Sequence, residues 1–420
     1  MSAELHPEIA SEGVLRRLVG RGHLPTLLVC WLHFFVSAFC WVLTAALVTS
    51  FAGELHLGRN AKAVIVGSSA IGTAITRLIV GPLADRFGMK RVGIALLFLS
   101  VAPLVWGSMA HSFGELVAVG ALLGIAGASF GIALPLAGKT FDSAHQGIVL
   151  GLVGSGSGGT VASVLIAPWV ASHVGWRATF LVALVPLALT LLLFWAVAHE
   201  PSVETQTSAV RIAGWRRYAR LPRETNVLAG FYLLTFGGFL GLATYLPLYF
   251  KDRFAMTPVA AGAYAAGCGV LGALARPVGG ALSDRRGALR NLSVIFTSVA
   301  VLCGALATLP PLVPTLACCT VMLALLGAGN GAVFQLVGKR LSQHAGTATG
   351  LIGAAGGLGG FLVPMSLASL ASATGTEAVG FATLGLAMGL GTVGVLARQR
   401  TWRRADALAM NPITTQMVLT

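Results

Sequence analysis

Charge is what this chain has least of. Of its 420 residues only 10% are charged, against about 25% in a soluble domain, and acids are the scarcer sign, 14 Asp and Glu against 28 Lys and Arg. Every carboxylate falls in a terminus, a connection or the end of an apolar run, from Glu54 and Asp85 to Asp252, Asp284 and Glu377. The six cysteines, Cys30, Cys40, Cys268, Cys303, Cys318 and Cys319, all sit inside apolar runs with neither metal-ligand spacing nor a disulfide framework, so they read as small packing residues. No nucleophile is paired with a base, and "GSGSGG" at 154–159 lacks the Lys-Ser/Thr of a phosphate loop. Enzymatic chemistry, a bound metal and a cofactor are therefore not expected.

What the chain has is apolar length. It is 56% hydrophobic, and twelve runs long enough to cross a bilayer core of about 30 Å lie between residues 24 and 397. The first follows 23 residues without a cleavage site, which predicts a retained helix rather than a signal peptide. The formal charge of +14 raises nucleic acid as a partner, and its distribution argues against it. With the N-terminus inside, internal segments hold 21 Lys and Arg and external ones hold 5, namely Arg59, Lys62, Arg177, Lys251 and Arg253. This is the positive-inside pattern. It predicts a multi-pass protein of the cell membrane with both termini cytoplasmic.

The chain also repeats itself. "RLIVGPLADRFG" (77–88) aligns with "RPVGGALSDRRG" (276–287) at an offset of 199. "GLVG" (151–154) returns at 350–353 with the same offset, and "GASFGIALPLAGK" (127–139) returns at 327–339 with an offset of 200. A constant offset means duplication of a six-helix unit. The expected organisation is a cytoplasmic segment 1–23, a half 24–198, a cytoplasmic loop 199–225, a second half 226–397 and a cytoplasmic tail 398–420. The loop carries five arginines, and the stretch around Trp215 and Tyr218 suits the surface of an anionic bilayer.

Arg77 and Arg276 complete the cations, eight residues inward from Asp85 and Asp284. On a helix that is about 12 Å deeper, near mid-membrane in both halves. An arginine cannot shed its proton, and a charge at that depth costs at least about 3 kcal/mol. With no acid at matching depth, two explanations remain. Each guanidinium bonds backbone carbonyls and locks packing, or the pair holds an anion, to which each fork can donate two parallel hydrogen bonds. Beside them stand Tyr232 and Phe236, Asn330, Phe334 and Gln335, and Phe39 and Phe130. Glycines at spacings of three and four, Gly151, Gly154 and Gly158, then Gly350, Gly353 and Gly357, predict closely approaching helix faces. His33 is the one histidine well inside a run. It reads as structural, although a histidine can carry a proton.

Two resemblances follow from these residues. "GPLADRFGMKR" (81–91) resembles the loop motif of the major facilitator superfamily, with Gly81, Asp85, Arg86, Gly88, Lys90 and Arg91 in place. It implies an all-α fold of twelve transmembrane helices in two halves around a midplane site, with gating by Gly81, Asp85, Arg86, Gly88, Asp284 and Arg285. The arginine pair, "TFGGFLG" (235–241), "GNGAVFQ" (329–335) and "GLIGAAGGLGGF" (350–361) together resemble the nitrate/nitrite porter family, assimilatory members above all. That resemblance implies a monomer that clamps nitrate, and nitrite as well, between Arg77 and Arg276, in a pocket lined by Tyr232, Phe236, Phe39 and Phe130. Ser157, Asn330 and Gln335 are further candidates, Ser157 standing where the family has Asn. Uptake for assimilation with protons is the implied direction. The missing intramembrane acid favours nitrite extrusion or nitrate/nitrite exchange, and an anion sensor is the reading from another class.

Overall fold

The computed structural model describes residues 23–141, 146–200, 221–341 and 345–409. The segment before 23, the stretch around Trp215 and Tyr218 and the tail beyond 409 lie outside the described residues. In hydrocarbon every backbone N–H and C=O must be bonded within the chain, so apolar runs of this length can only become helices. Twelve span-length helices form among the described residues. They are α1 (Leu24–Phe51), α2 (Arg59–Ala84), α3 (Met89–Ser108), α4 (Phe113–Lys139), α5 (Val149–Val174) and α6 (Trp176–Val197), then α7 (Arg223–Phe254), α8 (Pro258–Ser283), α9 (Ala288–Ala307), α10 (Leu312–Arg340), α11 (Ala348–Thr374) and α12 (Ala378–Trp402). The protein is a multi-pass membrane protein with an all-α fold. Two ends differ from the hydropathy reading. The α7 helix starts at Arg223, and α12 runs past residue 397, because a helix keeps its hydrogen bonds after its sequence turns polar.

The duplication is visible in the packing. The pair α2–α4 in one half has its counterpart in α8–α10, and the halves meet through α2–α11 and α5–α8. The tightest approach shows why glycine is needed there: a Cβ on Gly72 would lie 1.8 Å from the Ala121 carbonyl oxygen, and one on Gly279 would lie 2.0 Å from that of Ala328. The turns into α3 and α9 are equivalent too. Gly88 and Gly287 hold φ of 89° and 88°, a region open to glycine and strained for other residues. Central α1 and α7 are the most enclosed helices, while α6 and α12 turn Val185, Leu192 and Val393 outward.

One end of the molecule ties the halves together. There Arg59 meets Glu377 at 3.3 Å, Lys62 meets Asp252 at 3.5 Å, and Ser372 donates to Asn60 at 3.1 Å. Lys251 of α7 donates to the Thr49 carbonyl of α1. Each of these two partly exposed ion pairs is worth roughly 1 kcal/mol or less. Together they join the halves at this end.

Candidate functional site

Both arginines converge on one ring. The Arg77 guanidinium lies 5.1 Å from the Phe236 centroid and that of Arg276 lies 5.5 Å from it. Phe236 belongs to a π-helical turn, Leu233–Gly237, that interrupts α7. Such one-residue insertions recur at functional positions. The ring is stacked between Tyr232 (5.0 Å, 1°) and Trp41 (6.3 Å, 13°). Trp41 in turn is fixed by donating its indole N–H to the Ser69 carbonyl at 3.0 Å.

The two guanidinium groups are held differently. Arg77, 7% exposed, donates to the Gly353 carbonyl of α11 at 2.9 Å and to the Gly127 carbonyl of α4 at 3.2 Å. It also faces Trp41 at 5.7 Å and Phe130 at 5.8 Å. Arg276 has no hydrogen bond or ion pair among the described residues and rests on Phe236 and Phe239, the latter at 5.2 Å. Ring faces offset part of a buried cation's cost, roughly 0.5–2 kcal/mol apiece, yet they satisfy no N–H. The Nε–H groups of both arginines and the Ser157 hydroxyl are buried without a partner.

These groups border a small cavity lined by Phe34, Trp41, Phe130 and Ser157 from the first half and by Phe236 and Phe239 from the second, with both arginines at its wall. Its free space is about 10 Å³, near what one water needs. The described carboxylates all lie at helix ends or in connections, and none lines it.

Several expected residues sit elsewhere. Phe39 does not line the cavity, because Phe34, Ala38 and Trp41 share a face of α1 at i, i+4 and i+7 and Phe39 lies off it. Tyr232 stands behind Phe236 and touches Phe334 at 5.1 Å. Asn330 is buried in α10 with neither amide atom bonded, and it is not part of the lining. Gln335 borders a different cavity, at the end of the molecule opposite the tied one. Phe34, Trp41 and Phe239 are lining residues that the sequence reading passed over. The i, i+4, i+7 pattern of the first two with Ala38 is the signal that could have found Trp41.

The glycines divide likewise. A Cβ on Gly353 would lie 3.2 Å from Arg77 Cδ, and one on Gly357 would lie 2.8 Å from the Ala70 carbonyl. In α5 the close approach falls on Gly156 and Gly159, the latter 1.9 Å from the Phe35 carbonyl, whereas Gly151 and Gly154 have open space and Gly158 only an ordinary contact. The 3₁₀ turn Ser155–Ser157 shifts the register and so moves the packed face. Gly350 lies on α11.

Among the expected gating residues, Gly81 borders open space, Arg86 lies over Phe87 at 5.1 Å, and Arg285 is exposed. The side chains of Asp85 and Asp284 lie outside what the structure describes. His33 is not in the lining; its Nε2 is 3.1 Å from the Gly93 carbonyl and its ring lies against Phe194.

Residues 29–364 match the Major Facilitator Superfamily family model. The chain is 33% identical over 353 residues to the nitrite extrusion protein of Bacillus subtilis (strain 168), covering 82% of this chain and 86% of that one. It is 32% identical over 350 residues to the probable nitrate/nitrite transporter NarK2 of Mycobacterium tuberculosis (strain ATCC 25618 / H37Rv), covering 82% and 88%. In fold it is similar to the crystal structure of the human organic anion transporter MFSD10, with a TM-score of 0.69 at 14% identity over 89% of this chain and 99% of that one.

Proposed function

Because the chain belongs to the Major Facilitator Superfamily and, within it, to the nitrate/nitrite porter family, we propose that it carries nitrate and nitrite across the cell membrane by alternating access. The observation that carries this reading is the Arg276 guanidinium: half-buried at the cavity wall, with its Nε–H buried and no hydrogen-bond partner among the described residues. A planar oxyanion takes its fork, the free Nε–H of Arg77 and the Ser157 hydroxyl. The charge distribution of 21 against 5 cations supports this reading's orientation, with both termini in the cytoplasm. The tied end is then external, and the arrangement is closed to the outside.

Opening requires the ties at Arg59, Lys62, Lys251 and Ser372 to part while Gly81, Asp85, Arg86, Gly88, Asp284 and Arg285 regroup at the cytoplasmic end. The test is flux into proteoliposomes containing only this chain. Accumulation of nitrate or nitrite that is lost in Arg276→Lys supports the carrier; absence of flux with intact anion binding leaves a sensor.

Exchange is the second reading, favoured by one observation: no described carboxylate lines the cavity. An empty return would carry two uncompensated cations, so a counter-anion lowers that barrier. His33 does not line the cavity, and its Nε2 lies against the Gly93 carbonyl instead. Resemblance to assimilatory members favours uptake with protons instead. Acceleration of nitrate entry by internal nitrite identifies exchange, and acceleration by an inward proton gradient alone identifies symport.

A further inference from the structure

The duplication carries an acid in one half and not in the other. In the first half the turn at Gly88 feeds α3, whose first amides need acceptors. Glu200 supplies them: its two carboxylate oxygens accept from the N–H groups of Met89 and Lys90, both at 2.9 Å. Shifted by 199 residues, the same turn is Gly287, the same amides are Ala288 and Leu289, and the position of Glu200 is Gln399. Among the described residues no side chain accepts from the Ala288 or Leu289 N–H. An amide stands where a carboxylate does the work.

Around that position lies a cavity of about 680 Å³, bordered by Gly287, Ala288, Leu289 and Gln399 together with Arg286, Arg290, Lys339 and Arg340. Arg286 replaces Phe87 in the repeat, adding a cation that the first half lacks. Arg286, Arg290 and Lys339 have no ion-pair or hydrogen-bond partner among the described residues, and Arg340 lies over the buried ring of Trp402 at 4.2 Å. Glu224 is the only described carboxylate in the lining, so cations outnumber it four to one. No residue of α1–α6 contributes, which separates this cavity from the path between the halves.

We propose that this cavity binds a phosphate-bearing anion, an anionic-lipid headgroup or a free phosphate, which caps α9 as Glu200 caps α3. The volume suits a headgroup and far exceeds a four-atom anion. Arginine forks and uncapped amides are phosphate ligands. Basic pockets between helices on the cytoplasmic side are also where anionic headgroups bind.

The test uses the full chain in phosphatidylcholine nanodiscs with added phosphatidylglycerol, inorganic phosphate, or nitrate at the same ionic strength, and reads the thermal unfolding midpoint. Phosphatidylglycerol or phosphate should raise it. The triple variant Arg286→Gln, Arg290→Gln, Lys339→Gln should weaken that apparent affinity on the order of a hundredfold, about fivefold per charge. Gln399→Glu should raise the midpoint without ligand and remove the dependence, since the carboxylate then acts in cis. Arg398→Gln with Arg400→Gln, exposed residues outside the lining, should change nothing. A rise with phosphatidylglycerol alone identifies a lipid, and a rise with phosphate too identifies a free ligand. A rise with nitrate that the triple variant also loses, an equal loss in the Arg398/Arg400 control, an unaltered dependence in Gln399→Glu or no dependence at all overturns the proposal.

Discussion

Arg77 and Arg276 descend from one ancestral position and have diverged in what holds them. Arg77 is tied by two carbonyls, one of them across the interface on α11, and ringed by three aromatic faces. Arg276 rests on two rings and bonds nothing among the described residues. The carbonyl explanation left open by the sequence therefore applies to Arg77, and the absence of such bonds leaves the anion explanation to Arg276. Arg77 fastens helices and still offers an N–H; Arg276 is available whole. Equivalent depth does not mean equivalent duty.

The largest expected effect breaks the pair apart. Arg276→Lys should lower transport on the order of a hundredfold, because lysine keeps the charge without the fork, and should leave thermal stability unchanged. Arg77→Lys should lose transport and also about 1.5–3 kcal/mol of stability, the worth of one charged hydrogen bond it cannot remake. Equal stability losses in the two variants would erase the distinction.

A smaller effect comes through Gly353, whose added methyl would press on Arg77 Cδ at 3.2 Å. Gly353→Ala should cut transport about tenfold. Gly154→Ala, with open space around it, should leave transport intact and stabilise α5 by about 0.5–1 kcal/mol. If Gly154→Ala proves the more damaging, the glycine faces have been assigned the wrong way round. Ser157→Asn comes next. Its buried, unpartnered hydroxyl borders the cavity, so a longer donor there should alter the ratio of nitrate to nitrite affinity by about 2- to 13-fold. Titration of both anions into the purified variant reads it, and unchanged affinities would confine recognition to the arginines.

The smallest lies at the tied end. Glu54 accepts from the Trp176 indole at 2.7 Å and from Arg177 at 2.8 Å, and these two bonds hold its carboxyl below the usual carboxylate range. A depressed acid stabilises the fold above its unfolded value, near 4.3, and that contribution fades as pH falls through the lower folded value. Unfolding midpoints between pH 3 and 7 should therefore drop at the acid end, and slightly less so in Glu54→Gln, because the carboxyl is exposed and screened.

The fold was legible because hydropathy and repeats are properties of the chain itself. Twelve runs, the offset of 199 and the depth of two arginines need no partner to be read. The cavity was half legible for the opposite reason. Arg77, Arg276 and Phe236 announce themselves by charge or by neighbouring motif. Trp41, Phe34 and Phe239 are aromatic residues in apolar surroundings, and only the face they share with other helices separates lining from packing. Phe39 shows the error: it is two residues from Trp41, on the other side of α1. In α5 a 3₁₀ turn changes which glycines face inward, and nothing in the spacing of Gly151, Gly154 and Gly158 signals that turn.

The cavity's polar groups have one further property. Guanidinium groups can only donate, and the Thr160 hydroxyl already gives its proton to the Ser157 carbonyl at 2.9 Å. A visitor that itself bears a hydroxyl, such as bicarbonate or dihydrogen phosphate, must find an acceptor for that proton, and the hydroxyl oxygens of Ser157 and Thr160 are the two side-chain acceptors in the described lining. Ions stripped of every proton at neutral pH meet no such demand. A site built of these groups should favour anions that carry no hydrogen, a criterion that size alone would never impose on oxyanions so alike in shape.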